Sequence, residues 1–202
     1  MLWFILLTVG APNGAEVELP LQQWNAMRDE LRALREPGAP PAEVAALERT
    51  VRGEFRKGLF EGTLETRVEV LDADQPVRVP VLDVGASIQT VTVNGVATSL
   101  RREGAFYSVE LASPGTNTIR VRFLWGEEQD RFARRLRFSL PAAGPTRLDV
   151  LIPETEIDAD LQGGALLDSR ESGTNTRIIG QLDAVATVNL AWRRRLEHNE
   201  GG

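Results

Sequence analysis

Between Gly62 and Trp125 apolar residues occupy alternate positions, and turn-forming pairs interrupt the pattern. Leu64, Thr66, Val68 and Val70 share one side of an extended chain, as do Tyr107, Val109 and Leu111, and then Ile119, Val121, Phe123 and Trp125. Successive side chains of a strand point to opposite faces, so a period of two buries one face of a sheet and wets the other. Asn94-Gly95, Glu103-Gly104 and Ser113-Pro114-Gly115 separate the runs. Asn-Gly fills both positive-φ positions of a type I′ turn, whose twist matches that of paired strands. The pattern predicts strands near Phe60–Leu71, Val77–Leu82, Ile88–Val93, Val96–Leu100, Ala105–Leu111 and Thr118–Trp125. It continues with Arg131–Leu140, Thr146–Ile152, Glu156–Leu161, Thr176–Ile179 and Val185–Arg193. Strands at this spacing predict an all-β, antiparallel β-sandwich or jelly-roll-like fold. Gly163-Gly164 and Ser172-Gly173 flank a polar stretch that reads as a long surface loop.

The first quarter of the chain has a different period. Leu21, Trp24, Leu31 and Leu34 recur at helical spacing until Pro37-Gly38, which predicts one short N-terminal helical segment lying on the sandwich through a narrow apolar stripe. Pro37 to Pro41 is a stiff connector. Ala42 to Leu47 reads as a short second helix with Pro41 at its first position. Gly53 weakens a helix interior by ~1 kcal/mol relative to Ala, which favours a strand from about Val51. The expected plan is a signal segment over 1–15, a helical lead-in with its Pro-rich connector over 16–48, a β-sandwich domain over 49–195 and a disordered tail over 196–202.

Leu2 to Val9 is uncharged and apolar, and Gly10 to Ala15 supplies small and turn-forming residues before Glu16. That order predicts a secretory signal and a periplasmic or extracellular mature chain beginning near Glu16. The run falls well short of the ~20 residues a helix needs to span a bilayer, so no transmembrane span is expected.

Composition narrows the chemistry. With 42% hydrophobic residues the 202-residue chain can bury a sizeable core. A net charge of -6 argues against general nucleic-acid binding, which needs a basic footprint. There is no cysteine, and the single histidine, His198, sits four residues from the C-terminus. Thiolate metal sites, a cysteine nucleophile, a serine–histidine triad and a multi-histidine site are accordingly not expected. Phosphate-binding loops, dinucleotide fingerprints, nucleophile elbows and zincin motifs are all missing from the sequence.

Two charged ladders remain. Glu154, Glu156, Asp158 and Asp160 stand two residues apart, so on a strand their carboxylates share a face. They could ligate Ca²⁺ as a cofactor or flank a glycosidic bond, but the commoner reading of such a ladder is a solvated face. Arg131, Arg135 and Arg137 share a strand face, with Arg134 on the opposite one. If that strand forms a hairpin with its predecessor across Gly126–Asp130, Arg120 and Arg122 join them in a guanidinium cluster suited to an anionic glycan, a lipid phosphate or an acidic partner. Cross-strand pairing with Glu65, Glu69 or the acidic ladder competes with that role. Trp125 and Trp192 end alternating runs, where they are sugar-stacking platforms or, more commonly, core plugs.

The order of parts resembles a type of uncharacterised exported bacterial protein: a signal, a Leu-Pro-Leu-x-x-Trp helix, a Pro-rich spacer and a β-sandwich. The resembling stretches are Leu19–Leu34, Val77–Leu82, Val91–Gly95 and Pro114–Phe123. The resemblance implies fold and compartment, and supplies no catalytic residue. Such proteins often continue into further sandwich domains or a membrane anchor, whereas this chain ends soon after Trp192–Arg195, which is compatible with a piece of a longer one. The expected function is a non-catalytic module that engages an envelope protein or a further domain. A carbohydrate-binding module is the alternative, and a carboxylate-based glycosidase a remote one.

Overall fold

A computed structural model describes residues 44–71, 76–141, 144–183 and 187–195. The predicted signal, lead-in helix and tail lie outside these residues. Every regular element described is a strand. In chain order they are β1 (Val44–Arg56), β2 (Leu59–Val70), β3 (Val77–Asp83), β4 (Ser87–Val93) and β5 (Val96–Ala97). Next come β6 (Arg101–Glu103), β7 (Phe106–Leu111), β8 (Gly115–Gly126), β9 (Glu128–Gln129) and β10 (Arg134–Ser139). The last five are β11 (Thr146–Ile152), β12 (Ile157–Leu161), β13 (Gly164–Ser172), β14 (Asn175–Leu182) and β15 (Thr187–Arg194). Among the described residues no helix is long and apolar enough to cross a membrane.

The strands form three sheets rather than the two of a simple sandwich. An eight-stranded sheet runs β13-β14-β11-β1-β2-β8-β4-β5, a four-stranded sheet β12-β15-β10-β9, and a three-stranded sheet β3-β7-β6. All pairings are antiparallel except β1 with β11, which sets Val51 beside Leu148 and Gly53 beside Val150. The period of two is obeyed on the large sheet: Leu64, Val68, Val70, Ile119, Val121, Phe123, Leu148 and Val150 are all buried. Facing them are Leu136, Phe138, Val188, Leu190 and Trp192 of the four-stranded sheet and Val79, Val109 and Leu111 of the three-stranded one, in one continuous core. Aromatic contacts bridge the layers, with ring centroids 4.8 Å apart for Phe55–Trp192 and 5.6 Å for Phe123–Phe138. Gly53 and Gly62 make room for this packing, because a Cβ on either would lie 2.6 Å from a phenylalanine ring atom.

Four expectations are corrected. Of the short helix expected over Ala42–Leu47, the described residues Val44–Leu47 are instead the start of β1, where Val44 pairs with Val70 and a bulge between Ala46 and Glu48 absorbs the extra residue. The β domain therefore starts ahead of position 49: helix propensity is a weak preference, and the free edge of β2 overrides it. The polar stretch after Gly163 is no loop but strand β13, paired with β14 from Gly164 to Ser172 with a bulge between Leu166 and Asp168. Its polar sequence carries no period-two signal because both faces of this edge strand are largely exposed. The hairpin across Gly126–Asp130 does not form. β8 pairs with β2 and β4, whereas β10 pairs with β15 and β9, so the two runs belong to different sheets. The acidic run is a strand only from Ile157, since Glu156 has a φ of 54° and breaks the alternation.

Candidate binding site

The largest sheet turns a polar face to solvent. Across it Asp149, Arg52, Thr63 and Arg122 stand side by side on adjacent strands. A shallow concavity of about 840 Å³ opens there, but its charges largely answer one another. Arg177 clasps Asp149 with two hydrogen bonds of 2.8 and 2.6 Å and holds that carboxyl below its ordinary range. Arg120 pairs with Glu65 at 2.6 Å, as cross-strand pairing predicts.

A second cavity, of about 510 Å³, opens at one end of the four-stranded sheet. Trp192 and the turn from Asp130 to Ala133 that leads into β10 are among the residues that line it. Local chemistry fixes this turn. Phe132 and Ala133 donate their backbone N–H groups to Asp130 Oδ1 at 2.8 and 2.9 Å, and Asp130 donates its own N–H to the Ala133 carbonyl at 3.0 Å. Those two backbone donors, with Arg135 at 2.9 Å, hold the Asp130 carboxyl below its ordinary range. The locked turn presents Phe132 with 83% of its surface exposed.

Arg134 lines the same cavity. It sits opposite Trp192 in register, on the core-facing side of β10 as the alternation predicts. It pairs with Glu154 and, through Nε at 3.1 Å, with Glu127. The Glu127 side chain is only 9% exposed and its Oε1 receives no aligned hydrogen bond. Burial raises its pKa, Arg134 opposes that rise, and the neighbouring Glu154 adds to it. The Trp192 indole Nε1 is likewise buried without an acceptor among the described residues.

The residues singled out in the sequence are scattered. Arg131 and Trp192 come together at the end cavity. Arg135 is spent on Asp130, and Arg137 is exposed on the outward face of β10. Arg120 and Arg122 lie on the other sheet. Trp192, 2% exposed, offers no stacking face, and half-buried Trp125 packs against Phe138 at 5.5 Å. The acidic ladder is dispersed as well. Glu154 is held by Arg134, the Glu156 N–H binds Glu171, Asp158 takes Arg195 at 3.1 Å, and Asp160 is exposed. Among the described residues no three acidic or histidine side chains converge to hold a metal ion. Sequence reasoning passed over Phe132, Glu127, Arg193 and Arg194. Arg193 and Arg194 line the cavity, yet only their position at the end of β15, beside the Asp130 turn, signals it.

No known protein-family model matches the sequence, and no curated protein matches it. Solved structures match the fold. The Legionella pneumophila aminopeptidase A in complex with aspartic acid superposes with a TM-score of 0.56 at 10% identity, over 77% of this chain and 22% of that one. An M1 zinc metallopeptidase from Deinococcus radiodurans superposes with a TM-score of 0.51 at 12% identity, over 78% of this chain and 44% of that one. At such identity the likeness is one of fold alone, and the match spans less than half of either peptidase chain.

Proposed function

We propose that this β domain is a non-catalytic, exported module that engages an envelope protein or a further domain of a longer chain. The observation that carries the reading is Phe132, a large aromatic held 83% exposed on a turn whose backbone is locked by Asp130. An exposed aromatic on a rigid support is the pattern of an interface anchor, because little conformational entropy is lost when a partner covers it. The fold comparisons agree with a life beside other structure. The match covers 44% of a chain described as a two-domain M1 zinc metallopeptidase, so there this fold accompanies at least as much further polypeptide. The non-catalytic part rests on the acidic ladder, in which Glu154 is engaged by Arg134 and Asp158 by Arg195 while Asp160 stands exposed on β12.

Formaldehyde cross-linking in the native cell, followed by purification of the intact chain, tests this. A defined adduct that survives washing in salt is expected. Recovery of the monomer alone at every salt concentration would overturn the reading. N-terminal sequencing of the same material is expected to begin near Glu16, and a full-length cytosolic product would refute export.

A further inference from the structure

We infer that the edge strand β13 recognises itself: two copies of this chain pair antiparallel through it, with Asp168 of each copy opposite Arg170 of the other. The pairing concerns a second copy of the chain and stands independently of the partner reading above.

β13 ends one side of the eight-stranded sheet and pairs only with β14 among the described residues. Eight of its nine residues are exposed, and Asp168 is half-buried. An edge strand of this length leaves outward N–H and C=O groups that can pair with another chain. The other sheet edges are blunted. β5 and β9 have two residues each and β6 has three. β3 carries exposed Pro80 in mid-strand, which has no N–H to donate. β12 carries Asp158 and Asp160, both exposed and two residues apart, so antiparallel pairing with itself about Ala159 would set acid against acid.

On β13 the two charges differ in sign. Asp168 and Arg170 stand two residues apart, hence on one face, and their side chains meet at 2.9 Å. Directly opposed residues of an antiparallel pair also share a face. A two-fold axis at Ser169 therefore sets Asp168 against Arg170 twice, in a cluster of two acids and two guanidinium groups. An axis at Asp168 would oppose two acids, and one at Arg170 two guanidinium groups, so charge selects one register. Among the described residues Arg170 hydrogen-bonds to Asp168 through Nε alone, and its side chain is 81% exposed, which leaves its terminal nitrogens for the carboxylate of the second copy. Arg177, across from Arg170 on β14, is already clasped to Asp149. The bulge between Leu166 and Asp168 ends the regular stretch, so the contact centres on 168–170, with exposed Leu167 across from Glu171 of the second copy. Pairing of one patch with itself about a two-fold axis closes at the dimer.

Sedimentation equilibrium of the purified full chain tests this, beside Asp168→Arg and Arg170→Asp. The unaltered chain is expected to show a monomer–dimer equilibrium that weakens as salt is raised. Each variant alone sets like charges opposite, and its dimer Kd should rise about tenfold or more. An equimolar mixture of the two sets arginine against aspartate at both positions. A heterodimer is therefore expected where neither variant dimerises, read by native mass spectrometry with one variant ¹⁵N-labelled, and its formation shows that both are folded. Arg170→Gln, which removes the charge without reversing it, should weaken the dimer and remove most of its salt dependence. Four results would overturn the pairing: a monomer at every concentration, growth beyond the dimer, a dimer that none of the variants weakens, or folded variants whose mixture stays monomeric. A monomer here together with a cross-linked protein of another kind in the cell would remove the self-pairing and leave the interaction module standing.

Discussion

Single residues set tolerances in this fold at both faces of the large sheet. On the inner face a Cβ at Gly53 would meet the Glu61 carbonyl and lie 2.6 Å from Phe60 Cζ, and at Gly62 it would strike the rings of Phe60 and Phe123. Overpacked cores cost ~1–3 kcal/mol, so Gly53→Ala and Gly62→Ala are each expected to lower stability by at least that much, read as a reduced urea midpoint. An unchanged midpoint would mean that the rings shift freely. On the outer face Asp149 carries a pKa lowered by the hydrogen bonds and charge of Arg177. A carboxyl whose folded pKa lies below its unfolded value stabilises the fold above the unfolded value, and that contribution is lost as pH falls through the folded pKa. For Asp149 the loss therefore lies below its ordinary 3.8. Asp149→Asn is expected to flatten the acid limb of the stability–pH curve in that window and to leave its shape above pH 6 alone. Urea melts of both proteins across pH 2–7 check this.

At the scale of elements, the turn between β4 and β5 is where local chemistry decides most. Asn94 and Gly95 have φ of 50° and 82°, the two positive values that the Asn-Gly pair predicts. Asn94 also anchors the turn to β8, donating to Asn117 Oδ1 and accepting the Thr118 N–H, both at 2.9 Å. Nothing lies within 4 Å of a Cβ built on Gly95, so a side chain there has free space and only backbone strain to resist it. Gly95→Val is expected to cost about 1–2 kcal/mol by equilibrium unfolding, and Gly95→Asn much less. Equal costs for the two would place the penalty elsewhere. This turn was legible because its signal is local, and the alternating strands β2, β7, β8 and β11 were legible because one face of each is buried. The edge strand β13 was not, since with both faces largely wet it has no reason to alternate. The Arg134–Glu154 pair was hidden for another reason. It joins segments distant in sequence, and its proximity depends on β10 choosing β15 over β8 as its neighbour.

For the whole molecule the decisive pairing is the parallel one. β1 lies at the centre of the large sheet with β2 on one side and β11 on the other, so Thr50 pairs with both Glu65 and Arg147. The hairpin with β2 is local, whereas β11 arrives only after the chain has built the three-stranded sheet and β10. Parallel strands need a long crossover, and here the crossover carries most of the opposing layer. The core is correspondingly indivisible, drawing Phe55 and Phe60 from the first hairpin and Leu148, Ile178 and Trp192 from the last strands. A chain cut after Pro141 should therefore not fold to a smaller stable domain, because β1 would lose β11 and Phe55 would lose Trp192. The segment Ala42–Gly202, which holds every core residue named here, should fold by itself with a strand-dominated far-UV circular dichroism spectrum and one cooperative urea transition. A cooperative transition in the shorter chain, or two separated transitions in the longer one, would show that the layers are independent and that the parallel pair is not what closes the fold.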